Sequence, residues 1–294
     1  MKVGFRRRPQ PRTIPFTFRQ NSSTLKCMEP NEGLNVNSAK GSKGSGETSR
    51  ILFEACVDSL EGALAAQECG ADRIELCSGL SEGGLTPSAG LIQFAIRSLR
   101  IPVHVLIRPR GGDFLYSEPE FAIMLRDLEM AKEWGARGAV SGFLTPAGDV
   151  DRARTGKFMT AARPMNFTFH RAFDMARDPC RSLEDLIAIG ADRILTSGAQ
   201  PSAEKGTALI RTLVRQADGR ISVMAGGGVT ESNARIIADE TGVREIHTTL
   251  RGGTASRMQF RNPDVRMGSG QASSEYEWKT ADKARMHAIR KILE

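Results

Sequence analysis

The stretch ILFEACVDSLEGALAAQECGADRIELC, residues 51–77, holds one complete strand–helix–strand unit. Apolar side chains occupy every second position of ILFEACV (51–57), which is the period of a β-strand, and a helical pattern follows over 59–69. Gly70 stands where it would end that helix, and RIELC (73–77) again has the pattern of a strand. This unit predicts an α/β fold, and the chain after it repeats the same order.

Strand and helix patterns alternate about eight times after residue 50. The predicted strands are 51–57, 73–77, 102–108, 137–142, 165–170, 193–197, 221–226 and 245–249. The predicted helices are 59–69, 88–98, 118–134, 150–162, 180–189, 204–217 and 230–240, several of them ending at a glycine (Gly70, Gly135, Gly190 and Gly242). Eight such units within about 200 residues favour a (β/α)₈ TIM barrel over an open doubly wound sheet.

One short motif occurs twice. GADRI at 70–74 recurs at 190–194, and each copy joins the end of a predicted helix to the start of a strand. The two copies lie four units apart, as expected for two related half-barrels. Chance remains the alternative for so short a motif.

The two ends of the chain differ from this pattern. Residues 1–50 are predicted to form a disordered basic extension, and residues 51–294 the barrel domain. Residues 250–275 are rich in Gly, Arg and Ser and have no assigned structure. Residues 276–293 are predicted to form a final helix, with Trp278, Ala281, Met286, Ile289 and Ile292 as its apolar positions.

The charge of the chain is unevenly distributed. The 294 residues sum to +7, and residues 1–50, with ten basic and three acidic residues, account for all of it. A nucleic-acid-binding fold should carry its excess charge on the fold itself, so no nucleic-acid partner is expected. The extension lacks acidic residues before Glu29, which suits a chloroplast or mitochondrial transit peptide, a disordered tail, or a segment skipped by starting at Met28.

Composition also limits the location of the protein. No stretch of about 18 apolar residues occurs, so a membrane span is not expected. Five cysteines are widely spaced and form no C-x-x-C motif, which argues against a disulfide framework and for a reducing compartment such as the cytoplasm.

Alternation along the strands assigns each side chain to the lumen or to the helix layer. The inward set is rich in ionisable groups and contains Leu52, Glu54, Cys56, Arg73, Glu75, Cys77, His104, Leu106, Arg108, Thr168, His170, Glu245 and His247. Isolated buried charges are unfavourable, so these groups must pair with one another or bind a ligand. An ion pair of Arg73 with Glu54 or Glu75 is predicted at the bottom of the barrel. The strand ends that form barrel active sites carry Cys56, Cys77, Arg108, His170, Ser197, Gly226 and His247.

Two features of that rim point to ligands. Gly226, Gly227 and Gly228 present backbone N–H groups ahead of a helix, an arrangement that suits a phosphate or carboxylate; the alternative is a tight turn that needs positive φ. Cys56 and Cys77 lie inward on neighbouring strands, where two thiolates suit Cu(I); the alternative is a pair of ordinary buried cysteines. Cys69 and Cys180 fall on helices and are expected to pack.

Six motifs resemble a known family. They are EACVDS (54–59), GADRIELCSGLSEGGLTP (70–87), IRPRGGDF (107–114), TFHRAFDM (168–175), LTSG (195–198) and MAGGGV (224–229). Over about 51–293 the chain is similar to the CutC copper homeostasis family, in its eukaryotic, plant-like form. The resemblance implies an intracellular, homo-oligomeric barrel that binds or traffics copper, with Cys56 and Cys77 as the Cu(I) site.

A second function class fits the same rim. The barrel would be an enzyme that acts on a small anionic substrate, including a phosphorylated one, held by Gly226–Gly228. Arg108 would stabilise negative charge, and His170 or Glu75 would act as acid or base. The candidate catalytic residues of this alternative are Arg108, His170, Glu75, Asp174 and His247.

Overall fold

The computed structural model describes residues 50–265, 267 and 275–294. The predicted extension therefore lies outside the described residues except for Arg50, as do residue 266 and residues 268–274 of the segment that follows the last predicted strand. None of the described helices is long and apolar enough to cross a membrane.

Eight parallel strands form a closed barrel, as predicted. They are β1 (Leu52–Val57), β2 (Arg73–Leu76), β3 (Val103–Leu106), β4 (Gly138–Ser141), β5 (Asn166–Phe169), β6 (Arg193–Thr196), β7 (Ser222–Gly226) and β8 (Glu245–Thr248). β1 closes the barrel by pairing with β2 and β8, so Glu54 lies opposite Arg73 on one side and His247 on the other. This register brings together residues that are almost 200 positions apart in the chain.

The helices surround the barrel. They are α1 (Leu60–Glu68), α2 (Ala89–Ser98), α3 (Glu118–Glu133), α4 (Arg152–Ala162), α5 (Pro179–Ile189), α6 (Thr207–Ala217), α7 (Ala234–Thr241) and α8 (Lys283–Leu293), with short 3₁₀ helices at Leu80–Glu82 and Arg171–Met175. The glycines predicted to follow α1, α3, α5 and α7 all have positive φ, between 79° and 98°. α7 starts later than predicted because the Asn233 side chain accepts the Thr230 N–H at 2.8 Å, which holds 230–233 in a turn.

The main core lies between the strands and the helices. The outward residues of β1 and β5, including Phe53, Phe167 and Phe169, are fully buried there. Aromatic rings continue this layer outward, with Phe158 at 5.7 Å from Phe167 and at 5.3 Å from Phe143, centroid to centroid. The alternation predicted for β1, β2, β3, β5 and β8 therefore holds: their apolar faces pack against the helices, and their opposite faces, which carry the ionisable groups, line the lumen.

The repeated GADRI motif has the same structural role in both halves. Asp72 Oδ2 accepts the N–H of Phe53 in β1 at 2.8 Å, and Asp192 Oδ2 accepts the N–H of Phe167 in β5 at 2.7 Å. Each aspartate thus holds the start of the strand that precedes it, four units apart. The recurrence is a structural equivalence between the two half-barrels.

The end of the chain differs from the prediction. β9 (Arg251–Ala255) pairs antiparallel with β10 (Glu277–Ala281), so Trp278 and Ala281 lie on a strand and not on the final helix. The helix begins only after Asp282, whose carboxylate accepts the N–H of Arg285 at 3.2 Å. α8 packs against α1, α7 and β1 and so supplies the eighth helix of the barrel.

Candidate functional site

The carboxyl ends of the strands open into a cavity of about 450 Å³. Most of the predicted site residues line it: Cys56, Glu75, Cys77, Arg108, His170, Gly227, Gly228 and His247. Gly226 and Asp174 do not line it. The site is therefore built at the end of the barrel where ligands of this fold bind.

The two lumen cysteines are in contact. Cys56 Sγ lies 3.6 Å from Cys77 Sγ, and the Cys77 thiol is 3.4 Å from the carbonyl oxygen of Val57. Both side chains are buried, and together with Leu106 and Val140 they form a small apolar cluster inside the lumen, separate from the main core. The predicted inward direction of both thiols is confirmed.

A histidine and a carboxylate join this pair from neighbouring strands. His247 donates from Nδ1 to Glu54 Oε1 at 2.7 Å, and its Nε2 lies 3.5 Å from Glu75 Oε2. The Cys56 sulfur, a Glu75 oxygen and a His247 ring nitrogen all lie within 4.8 Å of one another. Neither Glu75 nor His247 was assigned to the metal site from sequence: Glu75 was a candidate ion-pair partner of Arg73 or an acid–base residue, and His247 a candidate catalytic residue. Both point inward, and the pairing of β1 with β2 and β8 brings them beside Cys56.

The environment of these groups shifts their proton affinities. The hydrogen bond with Cys77, together with burial, raises the pKa of the Cys56 thiol well above its ordinary value. Burial lowers the pKa of His247, but its hydrogen bonds with Cys56 and Glu54 and the charge of Glu75 outweigh burial and raise it well above its ordinary value. Burial also raises the pKa of the Glu75 carboxyl. The metal-free cluster thus holds protons on groups that bind metals only after losing them.

An ion-pair network lies directly below this cluster. Arg73 bonds to Glu54 and to Glu245, and Arg193 Nε donates to Glu245 at 2.5 Å. Of the two partners predicted for Arg73, the structure shows Glu54, because β1 and β2 pair Glu54 with Arg73; Glu75 lies two residues further along β2 and faces the cavity. Burial raises the pKa of Glu54, but the guanidinium of Arg73, the hydrogen bond with His247 and the charges of His247 and His104 together outweigh burial and bring that pKa well below its ordinary value. Glu54 is therefore ionised and links the network to His247.

Arg108 follows β3, the strand next to β2, and lines the cavity. Its Nη1 donates to the carbonyl oxygens of Glu82 and Gly84 at 2.8 and 3.0 Å, and its Nη2 donates to that of Gly112 at 2.8 Å. The guanidinium carbon lies 5.0 Å from the centroid of the Phe114 ring. Only 5 % of the residue is exposed, and it forms no salt bridge with a carboxylate of the described residues. The structure thus holds a buried cation at the cavity wall, with no counter-ion among residues 50–265, 267 and 275–294.

His170 lies beside Arg108. Its Nδ1 accepts the N–H of Ala172 at 3.2 Å, whereas its Nε2 is buried and has no hydrogen-bond partner among the described residues. Burial, assisted by the charge of Arg108, lowers the pKa of His170 to about 3. The ring is therefore neutral at physiological pH, with its hydrogen on Nε2. This geometry favours a hydrogen-bond donor over the acid–base role predicted for His170.

Asp174 has a positioning role outside the cavity. Its carboxylate accepts hydrogen bonds from Thr196 Oγ1 at 2.5 Å, from the Ser197 N–H at 3.0 Å and from Arg171 Nε at 2.7 Å. These bonds hold the loop after β6 and orient Arg171, which does line the cavity. The enzyme alternative requires Asp174 to contact a ligand directly. Asp174 does not line the cavity, so this placement gives it no such contact.

The glycine turn after β7 has the positive φ that the tight-turn alternative requires, and anion binding there stays a prediction. Gly227 and Gly228 have φ of +95° and +70°, so the turn needs glycine, and both line the cavity. Gly226 lies in β7, where a Cβ would meet Leu195 Cδ1 at 2.6 Å and the Cβ of His247 at 3.1 Å. Its role is close packing beneath the site.

Comparison with known proteins places these features in context. A family profile described as the CutC family matches residues 51–252. The copper homeostasis protein cutC homolog of Homo sapiens is 48% identical over 248 residues, which span 84% of this chain and 91% of the human protein. The homolog of Mus musculus is 47% identical over 257 residues, spanning 87% and 93%. The crystal structure of CutC from Streptococcus agalactiae superposes with a TM-score of 0.65 and 37% identity, covering 67% of this chain and 97% of that one.

Proposed function

The chain belongs to the CutC family, and from that premise we propose that this copper homeostasis protein binds Cu(I) in its barrel cavity, at Cys56, Cys77 and Nε2 of His247. Thiolate sulfur is a soft ligand that selects Cu(I) over hard cations, and imidazole also suits copper. All three side chains are buried at the floor of the cavity.

The buried hydrogen bond between His247 and Glu54 carries this proposal. A metal-binding histidine usually donates its other ring N–H to a carboxylate, which fixes the ring and raises its basicity as a ligand. His247 makes that bond at 2.7 Å to an ionised Glu54. The arrangement leaves Nε2 on the side of Cys56 and Glu75, where a metal ion would bind.

The spacing of the two sulfurs supports a third ligand. Metal–thiolate bonds are about 2.3 Å long, so sulfurs on opposite sides of one ion would stand about 4.6 Å apart. The Cys56 and Cys77 sulfurs are only 3.6 Å apart, so they would approach an ion from the same side. His247 is the nitrogen donor that the structure brings next to Cys56.

Competition with a chromogenic Cu(I) chelator, without oxygen and with a reductant, tests the proposal. The wild-type protein should hold one equivalent of Cu(I), and a Cys56→Ser/Cys77→Ser variant should hold none while keeping its circular dichroism spectrum. Cys180→Ser, on α5 and outside the cavity, is the matched control and should bind as the wild type does. Stoichiometric binding by the double variant would refute the site.

We also propose that the protein works inside the cell. The four described cysteines are free thiols, as expected in a reducing compartment. Fluorescent fusions of the full chain and of a chain that begins at Met28 distinguish an organellar location from a cytoplasmic one. Organellar signal from the full chain alone supports a transit peptide, and cytoplasmic signal from both supports a cytoplasmic protein; secretion of either would contradict the proposal.

A further inference from the structure

The wall of the cavity above the thiols is positively charged. Five basic residues line the cavity, Arg108, Arg171, Arg251, Lys279 and Arg285, against a single acidic one of the described residues, Glu75. Three of the arginines pair with carboxylates behind the lining: Arg171 with Asp174, Arg251 with Asp58 and Arg285 with Glu231. Arg108, the most deeply buried of the five, has no such partner within the described chain.

Backbone carbonyls and the Phe114 ring hold the buried Arg108 guanidinium, and neither supplies a full negative charge. Removing a cation from water is unfavourable unless an anion or several hydrogen bonds replace the water. The three carbonyls around Arg108 supply the hydrogen bonds but no negative charge. The charge that would complete its environment has to come from the cavity.

His170 adds a donor on the same wall. The Phe114 ring contacts both side chains, at 5.0 Å from the Arg108 guanidinium and 4.9 Å from the His170 ring, and so keeps them side by side. The Nε2–H of His170 is buried and has no partner in the part of the chain that the structure describes, which is rare for a polar group in a folded protein. The residue is 6 % exposed and lines the cavity. An acceptor atom of a ligand in the cavity would give the Nε2–H of His170 a hydrogen-bond partner.

We propose that the cavity binds a small organic oxyanion, with its charged group between Arg108, the Nε2–H of His170 and the Gly227–Gly228 turn. The turn has no room for side chains, since a Cβ on Gly228 would meet the Ser202 Cβ at 2.9 Å, and its backbone borders the cavity directly. This site lies above the thiols and does not depend on copper.

The rest of the lining indicates the size and character of the ligand. A volume of about 450 Å³ exceeds what an inorganic oxyanion fills. Part of the wall is apolar and consists of Leu80, Leu106, Phe114, Leu195 and Val229. A phosphate or carboxylate group attached to a short organic body therefore matches the cavity better than a free inorganic ion.

A competing explanation is that Arg108 offsets the negative charge of a Cu(I) dithiolate. The two explanations differ in copper-free protein, because only the oxyanion site predicts anion binding there. Calorimetric titrations at constant ionic strength, with chloride as the reference anion, should use inorganic phosphate, glycerol phosphate and lactate. The three probes separate a free phosphate, a phosphate ester and a carboxylate as the preferred source of the oxyanion.

Copper-free wild-type protein should bind at least one of the three probes, with a stoichiometry of one. Arg108→Met should weaken that binding about tenfold or more, because a charge-assisted hydrogen bond is lost. His170→Asn keeps an acceptor for the Ala172 N–H and removes the Nε2 donor, so it should weaken binding, whereas His170→Gln should restore part of it. Arg126→Met, at an arginine that forms an exposed ion pair with Glu129 outside the cavity lining, is the matched control.

The Cys56→Ser/Cys77→Ser variant should bind the probe as the wild type does, so failure of the copper site and failure of the anion site are distinguishable. The proposal is overturned if no probe binds copper-free protein, if anions bind only after Cu(I) is added, or if His170→Asn binds as tightly as the wild type. If Arg108→Met does not fold, the histidine pair alone decides the question.

Discussion

The His247 ring lies 2.7 Å from Glu54, through Nδ1 and Oε1, and this bond joins the two polar layers of the barrel lumen. Below it, Glu54 and Glu245 hold Arg73 in a buried ion-pair network. Above it, His247 stands beside Cys56 and Glu75 at the floor of the cavity. A structural network thus orients the residue that would complete a copper site.

Replacing Glu54 with Gln should weaken Cu(I) binding by about 10- to 100-fold, the usual effect of losing the hydrogen-bond partner of a metal-binding histidine. It should also destabilise the fold by about 3–5 kcal/mol, because Arg73 loses a buried partner. Chelator competition and urea unfolding measure the two effects. Glu129→Gln, at an exposed ion pair on α3, is the control and should change neither. Unchanged copper affinity in Glu54→Gln would exclude His247 as a ligand.

Copper affinity should increase with pH between about 6 and 8. The pKa values of Cys56 and His247 are raised, so both hold protons in the copper-free state, and Cu(I) must displace them. As pH rises, the competition from protons falls and binding becomes tighter. Titrations in buffers of different ionisation enthalpy count the protons released. Binding that releases no protons and has the same affinity at about pH 6 as at about pH 8 would contradict the proposed ligands.

Stability should fall as pH decreases from about 6.5 to 4. Burial lowers the pKa of His170 to about 3 and that of His104 to about 4. In this window the unfolded chain binds protons at both histidines and the folded chain does not, so acid favours unfolding by at most about 1.4 kcal/mol per pH unit for each. Urea unfolding at several pH values measures the slope, which should be smaller in His170→Asn. An equal slope in wild type and variant would show that His170 takes up protons in the folded state.

Oxidation should close the copper site. The Cys56 and Cys77 sulfurs already touch at 3.6 Å, so diamide should take two electrons and two protons from the pair, forming one disulfide and the reduced hydrazine. The oxidised protein should lose Cu(I) binding and regain it with dithiothreitol. Mass spectrometry of peptides identifies the bond. Full copper binding by the disulfide form would contradict the assignment of the two cysteines.

Most of the fold is predictable because apolar residues recur along the chain with the period of a β-strand, two residues, or that of an α-helix, about 3.6 residues. The period of two in β1 assigns Phe53 to the core and Glu54 to the lumen, and the structure places both there. GADRI marks the same junction twice because Asp72 and Asp192 each accept a strand N–H. The β9–β10 pair was not predicted, since the stretch 250–275 has neither period, and Trp278 fits the helical spacing of 286–292 by coincidence.

The site is predictable residue by residue but not as a set. Alternation shows that Cys56, Glu75 and His247 point inward, yet only the closing pair β1–β8 shows that His247 stands next to Cys56. His170 was predicted to act as an acid or base because it points inward at a strand end of the rim. Its burial and the bond from Ala172 make it a neutral donor instead, and neither can be read from spacing. For the same reason the packing of Asp174 behind Arg171 is visible only in three dimensions.

The copper K-edge X-ray absorption spectrum of reduced protein that holds one equivalent of Cu(I) identifies the atoms that bind the metal. The proposed site predicts two sulfur atoms and one nitrogen bound to copper, from Cys56, Cys77 and His247. A spectrum without sulfur in the coordination sphere of the metal would contradict it.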